Sequence, residues 1–373
     1  MRILHVVPSF GLGGMEKIIC AVIESTANLH EHTVLPLDGC KSAAAWIKCA
    51  NAEFIQFDRP RSRRLFFGSL FKALRLSDPD LLMTYNWGAT DAIWLGRLAG
   101  LQKIVHSEHG FNAEEGTTTL WMRDCIRFLV YRLSSQVIAV SHELQDMLRC
   151  RFLLGEHKVR RIPNGIDAFY YSPDDRERQR VRKSLGFTDV QCVLGFSGRL
   201  DPVKNLDLLV NIFRCSNPRD YPFRLLVVGD GPDRPRLEAL CRAADLHPYV
   251  TFAGQQAEVL PYLRAMDAFL LTSLREQMPL TVLEAMAVGL PVIATGVGEL
   301  PYMIDDGIDG FIREVNAPVE AFVQPLRSLL DGSRKRSIGA AARKKVKEQF
   351  QIATMVKKYS DLMEEFTRVV SRA

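Results

Sequence analysis

Short apolar runs rich in β-branched residues alternate along the chain with longer stretches whose apolar positions recur at helical spacing. In the first half the runs Arg2–Val7, His32–Leu37, Glu53–Phe57, Leu81–Thr84, Lys103–Glu108, Gln136–Val140 and Lys158–Ile162 predict strands. Helices are expected between them, near Met15–Leu29, Ser42–Ala50, Leu65–Leu76, Gly88–Leu98 and His142–Cys150. Strand and helix in strict alternation argue for a parallel sheet covered on both faces. The rhythm lapses over Ser172–Ser184, a polar block dense in Asp, Glu and Arg, and resumes near Val190. Cys192–Phe196, Phe223–Val228, Val250–Gly254, Ala268–Thr272 and Leu290–Thr295 then predict a second set of strands. From about Pro318 the pattern is helical, and Ile352, Val356, Tyr359, Met363, Phe366 and Val370 share one helical face. The expectation is an α/β protein of two doubly wound domains, residues 1–168 and 190–350, with a partly helical connector over 169–189 and a terminal helix over 351–373.

Composition agrees with that division. A chain of 373 residues exceeds one ordinary core. Hydrophobic residues make up 47% and charged residues 24%, the balance of a soluble globular protein. No apolar run reaches the roughly 18 residues of a spanning helix. The apolar start is interrupted by Pro8, so it reads as a first strand and not a leader. Eight Cys are scattered without metal-ligand spacing, which points to reduced thiols in a cytoplasmic setting. The net charge of +5 does not argue for nucleic acid, but it is compatible with an anionic substrate or membrane surface. Arg59, Arg61, Arg63 and Arg64 are the densest local charge, followed by Leu65, Phe66 and Phe67. That stretch is either a solvated loop or a docking edge for anionic lipid headgroups at the inner face of a membrane. Asp78-Pro79-Asp80 has the outline of a D-x-D metal motif, but it stands just before a strand, where Asp and Pro are ordinary turn residues.

Several strand-to-helix loops carry chemistry. Ser9 to Gly14 follows the first strand with Gly11, Gly13 and Gly14. On its residues alone it is either a tight turn or a place where backbone N–H groups approach a phosphate. His109 follows another strand end, where ligands of open α/β sheets sit, and reads equally as a buried structural histidine. Arg199 and Lys204 open the loop after the first strand of the second half. They are two solvated cations or, together, a fork and a point charge for a diphosphate. Glu276 precedes and Glu284 lies within a short helix bracketed by Pro279 as its first residue and Gly289.

The stretch around those two acids, with Pro279, Glu284-Ala285-Met286, Gly289, Pro291 and Thr295, resembles the E-x7-E signature of glycosyltransferase family 4. Arg199 and Lys204-Asn205 resemble the family's G-R-x-x-x-x-K-N, Gly13-Gly14 its Gly-Gly loop, and Pro163-Asn164-Gly165-Ile166-Asp167 the turn closing its first domain. The resemblance implies the GT-B arrangement, two Rossmann-like domains facing across a cleft, with the terminal helix crossing back to the first. It implies a retaining, metal-independent transfer from a UDP-sugar or GDP-sugar to a glycan or lipid-linked acceptor, with no cofactor, in exopolysaccharide or lipopolysaccharide assembly. Arg199 and Lys204 would clamp the diphosphate, helped by Gly13 and Gly14. Glu276 would hold the transferred sugar, Glu284 the ribose, and His109 the reacting face. Gln255 would lie near the base, with Met278, Pro279 and Leu280 lining the nucleotide-sugar site. Glu114-Glu115-Gly116 would help form the acceptor side. Many relatives carry Gly where this chain has Gln277, a side chain that narrows the sugar pocket or adds a contact. An epimerase or a non-catalytic sugar-binding protein on the same scaffold are the competing functions.

Overall fold

The computed structural model describes residues 1–49, 52–110 and 120–368. They form two compact units, one of residues 1–165 with the terminal helix and one of residues 166–351.

The first unit is built on β1 (Arg2–Val7), β2 (Glu31–Pro36), β3 (Ala52–Phe54), β4 (Leu81–Tyr85), β5 (Ile104–Glu108), β6 (Gln136–Ala139) and β7 (Val159–Arg161). They make one seven-stranded sheet in the order β3-β2-β1-β4-β5-β6-β7, and its pairs are parallel. β4 and β5 are buried at every position, as strands covered on both faces must be. The order runs outward from β1 in one direction and from β4 in the other, so the topological switch point lies between these two strands. The helix expected over Ser42–Ala50 is only a 3-10 turn, Ser42–Trp46. Beyond it the backbone N–H of Cys49 donates to Glu24 Oε1 at 2.8 Å, so that segment is held by a side chain rather than by helical bonds. The helix Leu120–Leu133 had no counterpart in the sequence reading. The terminal helix Ile352–Arg368 belongs to this unit and buries Met355, Tyr359, Leu362 and Met363. Its Tyr359 hydroxyl lies 3.5 Å from Ser107 Oγ, at the end of β5.

The second unit contains β8 (Cys192–Ser197), β9 (Phe223–Val228), β10 (Val250–Gly254), β11 (Ala268–Leu271), β12 (Val292–Thr295) and β13 (Gly310–Arg313), in the order β10-β9-β8-β11-β12-β13 with parallel pairs. The connector over residues 169–189 has the helical part expected of it. Its helix Asp175–Ser184 places Arg178 and Arg182 on the buried Asp267, at 2.9 and 3.0 Å, while Asp267 Oδ2 also accepts from the N–H of Val193 at 2.8 Å. One carboxylate thereby joins this helix to β8. Among the described residues no helix is long and apolar enough to cross a membrane.

Candidate active site

In the second unit the switch point falls between β8 and β11, whose carboxyl ends lie side by side. The loops leaving those ends are sewn together. Thr272 Oγ1 donates to the carbonyls of Lys204 and Asn205 at 3.0 and 3.1 Å, and Leu274 N–H to that of Val203 at 2.8 Å. Asn205 adopts the left-handed conformation (φ 48°), tolerable for Asn, and turns the chain into the helix Leu206–Cys215. This backbone frame brings Lys204 Nζ to 2.6 Å from Glu276 Oε1. Ser273 Oγ donates to the same oxygen at 2.7 Å. A lysine and a carboxylate 72 residues apart in sequence thus meet at the mouth of the sheet.

The loop after β12 completes the frame. Glu299 N–H donates to the Gln277 carbonyl at 2.7 Å. Gly298, at φ 58°, lies so close that a Cβ would run into the carbonyl oxygen of Glu276. Arg199, on the same loop as Lys204, stands largely in solvent with Asp201 at 4.0 Å. Gly229, at φ 132°, packs its backbone against the Gly198 carbonyl, which makes the turn after β9 a support for the Arg199 loop.

Glu284 lies within the helix Leu280–Val288, every residue of which but Thr281 is buried. Pro279 is not its first residue as expected but the cap before it (ψ 119°), and Gly289 closes the helix at φ 86°. Glu284 is itself only 1% exposed and accepts a hydrogen bond from the Tyr171 hydroxyl at 2.9 Å. Burial, then the charge of Glu284, pushes the Tyr171 hydroxyl far up from its ordinary pKa. Met278, Pro279 and Leu280 are buried, whereas Gln255 is exposed just past β10.

The remaining candidates lie in the first unit, at the carboxyl ends of β1, β4 and β5. Gly13 caps the helix Gly14–Thr26, and the Glu16 carboxylate folds back beside it, where a Cβ on Gly13 would collide with Glu16 Oε2. The helix N-terminus expected to face a phosphate is therefore already faced by an anion. His109 receives its place from Asn86, whose Oδ1 accepts the His109 N–H at 2.7 Å, and from Ser107 Oγ, 3.0 Å from its Nε2. Burial pushes its pKa down to about 4, so the ring is neutral at pH 7. Glu108 points inward and accepts from the Tyr131 hydroxyl at 2.6 Å. Burial would raise its pKa, but His106, Arg127 and Tyr131 outweigh burial and hold it below the usual range. Glu114, Glu115 and Gly116 lie outside the described residues. Asp78 and Asp80 hold Arg2, at 3.2 Å to its guanidinium and 2.8 Å to its backbone N–H. Among the described residues no group of three or more His, Cys, Asp or Glu could hold a metal ion.

Of the sequence candidates, the structure joins Lys204 and Glu276 directly, and places Arg199 on the lysine's loop and Glu284 on the helix after Glu276. Ser273, Tyr171, Asn86 and Ser107 escaped the sequence reading. Each acts by holding another residue, and nothing local in the sequence marks such a role.

Two family models match this chain: "Glycosyltransferase Family 4" over residues 12–168 and "Glycosyl transferases group 1" over residues 191–332. An N-acetyl-alpha-D-glucosaminyl L-malate synthase of Bacillus anthracis is 29% identical over 266 residues, covering 71% of this chain and 68% of that protein. A UDP-Gal:alpha-D-GlcNAc-diphosphoundecaprenol alpha-1,3-galactosyltransferase of Escherichia coli is 28% identical over 304 residues, 79% of this chain and 77% of that one. Among solved structures, Anabaena Alr3699/HepE in complex with UDP and glucose superposes with a TM-score of 0.83 at 19% identity, covering 98% of this chain and 100% of that one. The chain belongs to the family 4, group 1 glycosyltransferases and shares their GT-B type of fold, two Rossmann-like parallel-sheet domains.

Proposed function

We propose that the chain moves a sugar from a nucleoside diphosphate sugar, a UDP-sugar first among the candidates, to a glycan or lipid-linked acceptor, with retention at the anomeric carbon and without a metal. The observation that carries this reading is the Lys204–Glu276 pair at the switch point of the second unit, 2.6 Å apart, with Arg199 beside it. Breaking the bond between the anomeric carbon and the diphosphate builds negative charge on the phosphate and positive charge on the carbon. Lys204 and Arg199 would meet the first charge, and a preorganised donor of that kind is worth about 10²–10³ in rate. Glu276 would accept from hydroxyls of the transferred sugar and Glu284 from those of the ribose. The neutral ring of His109 would line the reacting face without adding a charge. Retention follows if the acceptor hydroxyl enters on the face the phosphate leaves and passes its proton to the departing phosphate oxygen. Gly13 and Gly14 would help only once the Glu16 carboxylate has turned away.

The donor class is supported by relatives. The E. coli protein is named for UDP-Gal, and the Anabaena structure holds UDP and glucose. The acceptor class is supported by the same E. coli protein, whose acceptor is a diphosphoundecaprenol-linked sugar, and a role in lipopolysaccharide or exopolysaccharide assembly accords with it. The test is a thermal-shift panel of UDP- and GDP-sugars followed by assay of nucleotide release. A native-state ligand raises the melting temperature, and transfer makes release acceptor-dependent. No shift with any nucleotide sugar would refute the reading. Nucleotide release indifferent to every acceptor would refute transfer.

A further inference from the structure

The first unit has a second feature that the sugar-transfer reading leaves unused. The helix Leu120–Leu133 packs inward through Val130 and Tyr131, yet it carries a second apolar stripe that nothing among the described residues covers. It buries Arg127, 1% exposed, and displays Trp121, Met122, Ile126, Leu129 and Leu133 on its outer face, Trp121 at 68% and Leu129 at 64% exposed. A helix normally buries its apolar stripe, and a contiguous apolar surface on a folded chain marks a binding site. Ile126 from that face also forms one wall of a cavity of about 350 Å³, whose other walls include Arg59, Arg61, Arg63, Phe66 and Trp87. Two of these arginines lie over aromatic rings. Arg59 lies 5.1 Å from the Phe66 ring centre and Arg63 lies 5.3 Å from that of Phe67. Among the described residues none of Arg59, Arg61, Arg63 and Arg64 has a carboxylate within ion-pair distance. The carboxylate on the cavity wall, Asp91, accepts from Trp94 Nε1 at 3.2 Å.

Unpaired guanidinium groups in a cavity select an anion with several oxygens. The apolar helix face continuing from the same cavity selects hydrocarbon. The geometry points to one occupant with both parts: a phosphorylated amphiphile, its phosphate among Arg59, Arg61 and Arg63 and its chain along Trp121, Ile126 and Leu129. A second copy of this chain fits less well. A two-fold interface on this patch would bring two unpaired arginine clusters together, and like charges across an interface oppose association. Trp87 follows Asn86, the residue that fixes His109, so the amphiphile would sit beside the proposed reacting face, as a lipid-linked acceptor must. That acceptor role rests on the transfer reading above, whereas the binding itself does not.

The test is calorimetric titration of the full chain with dodecyl phosphate below its micelle concentration, against inorganic phosphate and dodecanol. Dodecyl phosphate is expected to bind at least about tenfold more tightly than either, since each probe lacking one part forgoes one set of contacts. Arg59→Gln with Arg61→Gln and Arg63→Gln should reduce it to the level of dodecanol, at about tenfold per charge-assisted contact. Trp121→Ser with Ile126→Ser should reduce it to the level of inorganic phosphate. Both variants alter exposed groups, and an unchanged UDP-induced thermal shift would confirm their fold. Equal binding of dodecyl phosphate and inorganic phosphate would overturn the proposal. So would an arginine variant that binds normally, or a Trp121 variant that changes only the oligomeric state in sedimentation velocity. If UDP fails to bind the unmodified chain, the transfer reading falls while this site stands.

Discussion

Lys204 and Glu276 are bonded to each other, yet their proposed tasks differ, and substitution should separate them. In the free protein the Lys204 ammonium lies 2.6 Å from Glu276 Oε1, with the two side chains 21% and 11% exposed. A phosphate reaching Lys204 exchanges one charge-assisted bond for another. The ground-state gain therefore falls at the lower end of the roughly 1.5–3 kcal/mol of a hydrogen bond to a charged group. Lys204→Ala is expected to weaken UDP binding about tenfold. It should lower kcat/KM by about 10²–10³, because charge on the leaving phosphate grows toward the transition state. Glu276→Gln should behave differently. It releases the lysine from a charged partner, so UDP binds as tightly as before or slightly better, while turnover falls because the sugar loses its carboxylate. Isothermal titration with UDP and a UDP-release assay measure the two effects separately. Glu276 keeps its bond from Ser273 in the lysine variant, so the fold should survive. A Lys204→Ala protein that binds UDP like the unmodified chain would refute the reasoning, as would Glu276→Gln weakening UDP tenfold.

Glu284→Ala should lower UDP affinity roughly tenfold to a hundredfold, the value of about 1.5–3 kcal/mol for a lost charged hydrogen bond, and titration with UDP checks it. Tyr171→Phe removes one donor from the buried Glu284. It should cost about 1–3 kcal/mol of stability, seen as a fall of about 2–4 °C in Tm per kcal/mol. Asp267→Asn leaves the buried Arg182, 2% exposed, without its carboxylate. A loss of about 3–5 kcal/mol is expected, with urea unfolding as the measurement and proteolysis near the helix Asp175–Ser184 as a second. Below neutral pH the buried histidines should destabilise the first unit. His32 is bonded to His5 and Thr26, each at 3.0 Å, and burial, with His30 nearby, pushes its pKa down to about 4. The unfolded chain binds the proton near pH 6.5 and the folded chain only near pH 4. Stability is thus lost as pH falls through that window, by at most about 1.4 kcal/mol per pH unit for this group. His32→Gln should flatten the Tm-against-pH curve between pH 6.5 and 4, and an unchanged slope would remove His32 from the effect.

The sequence by itself determined the two parallel sheets, because strands buried on both faces must be written as short apolar runs, legible without neighbours. Most of these runs became strands within a few residues of their expected ends. Arg199, Lys204, Glu276 and Glu284 stood out through the resemblance to the family 4 motifs, since taken singly each reads as an ordinary solvated charge. What it could not carry is any relation that depends on strand order. Lys204 meets Glu276 only because β8 and β11 are neighbours in the sheet, although two strands intervene in the chain. Tyr171 reaches Glu284 across 113 residues, and Asp267 gathers Arg178 and Arg182 from a segment whose partners its own polar sequence does not name. The helix Leu120–Leu133 shows the same limit from the other side. The sequence reading has no helix there, and only the neighbours of that segment decide which of its apolar residues are buried. Local patterns specify elements because backbone bonding and burial act over a few residues. Partnerships between side chains arise from packing, which brings together groups that the chain itself keeps apart.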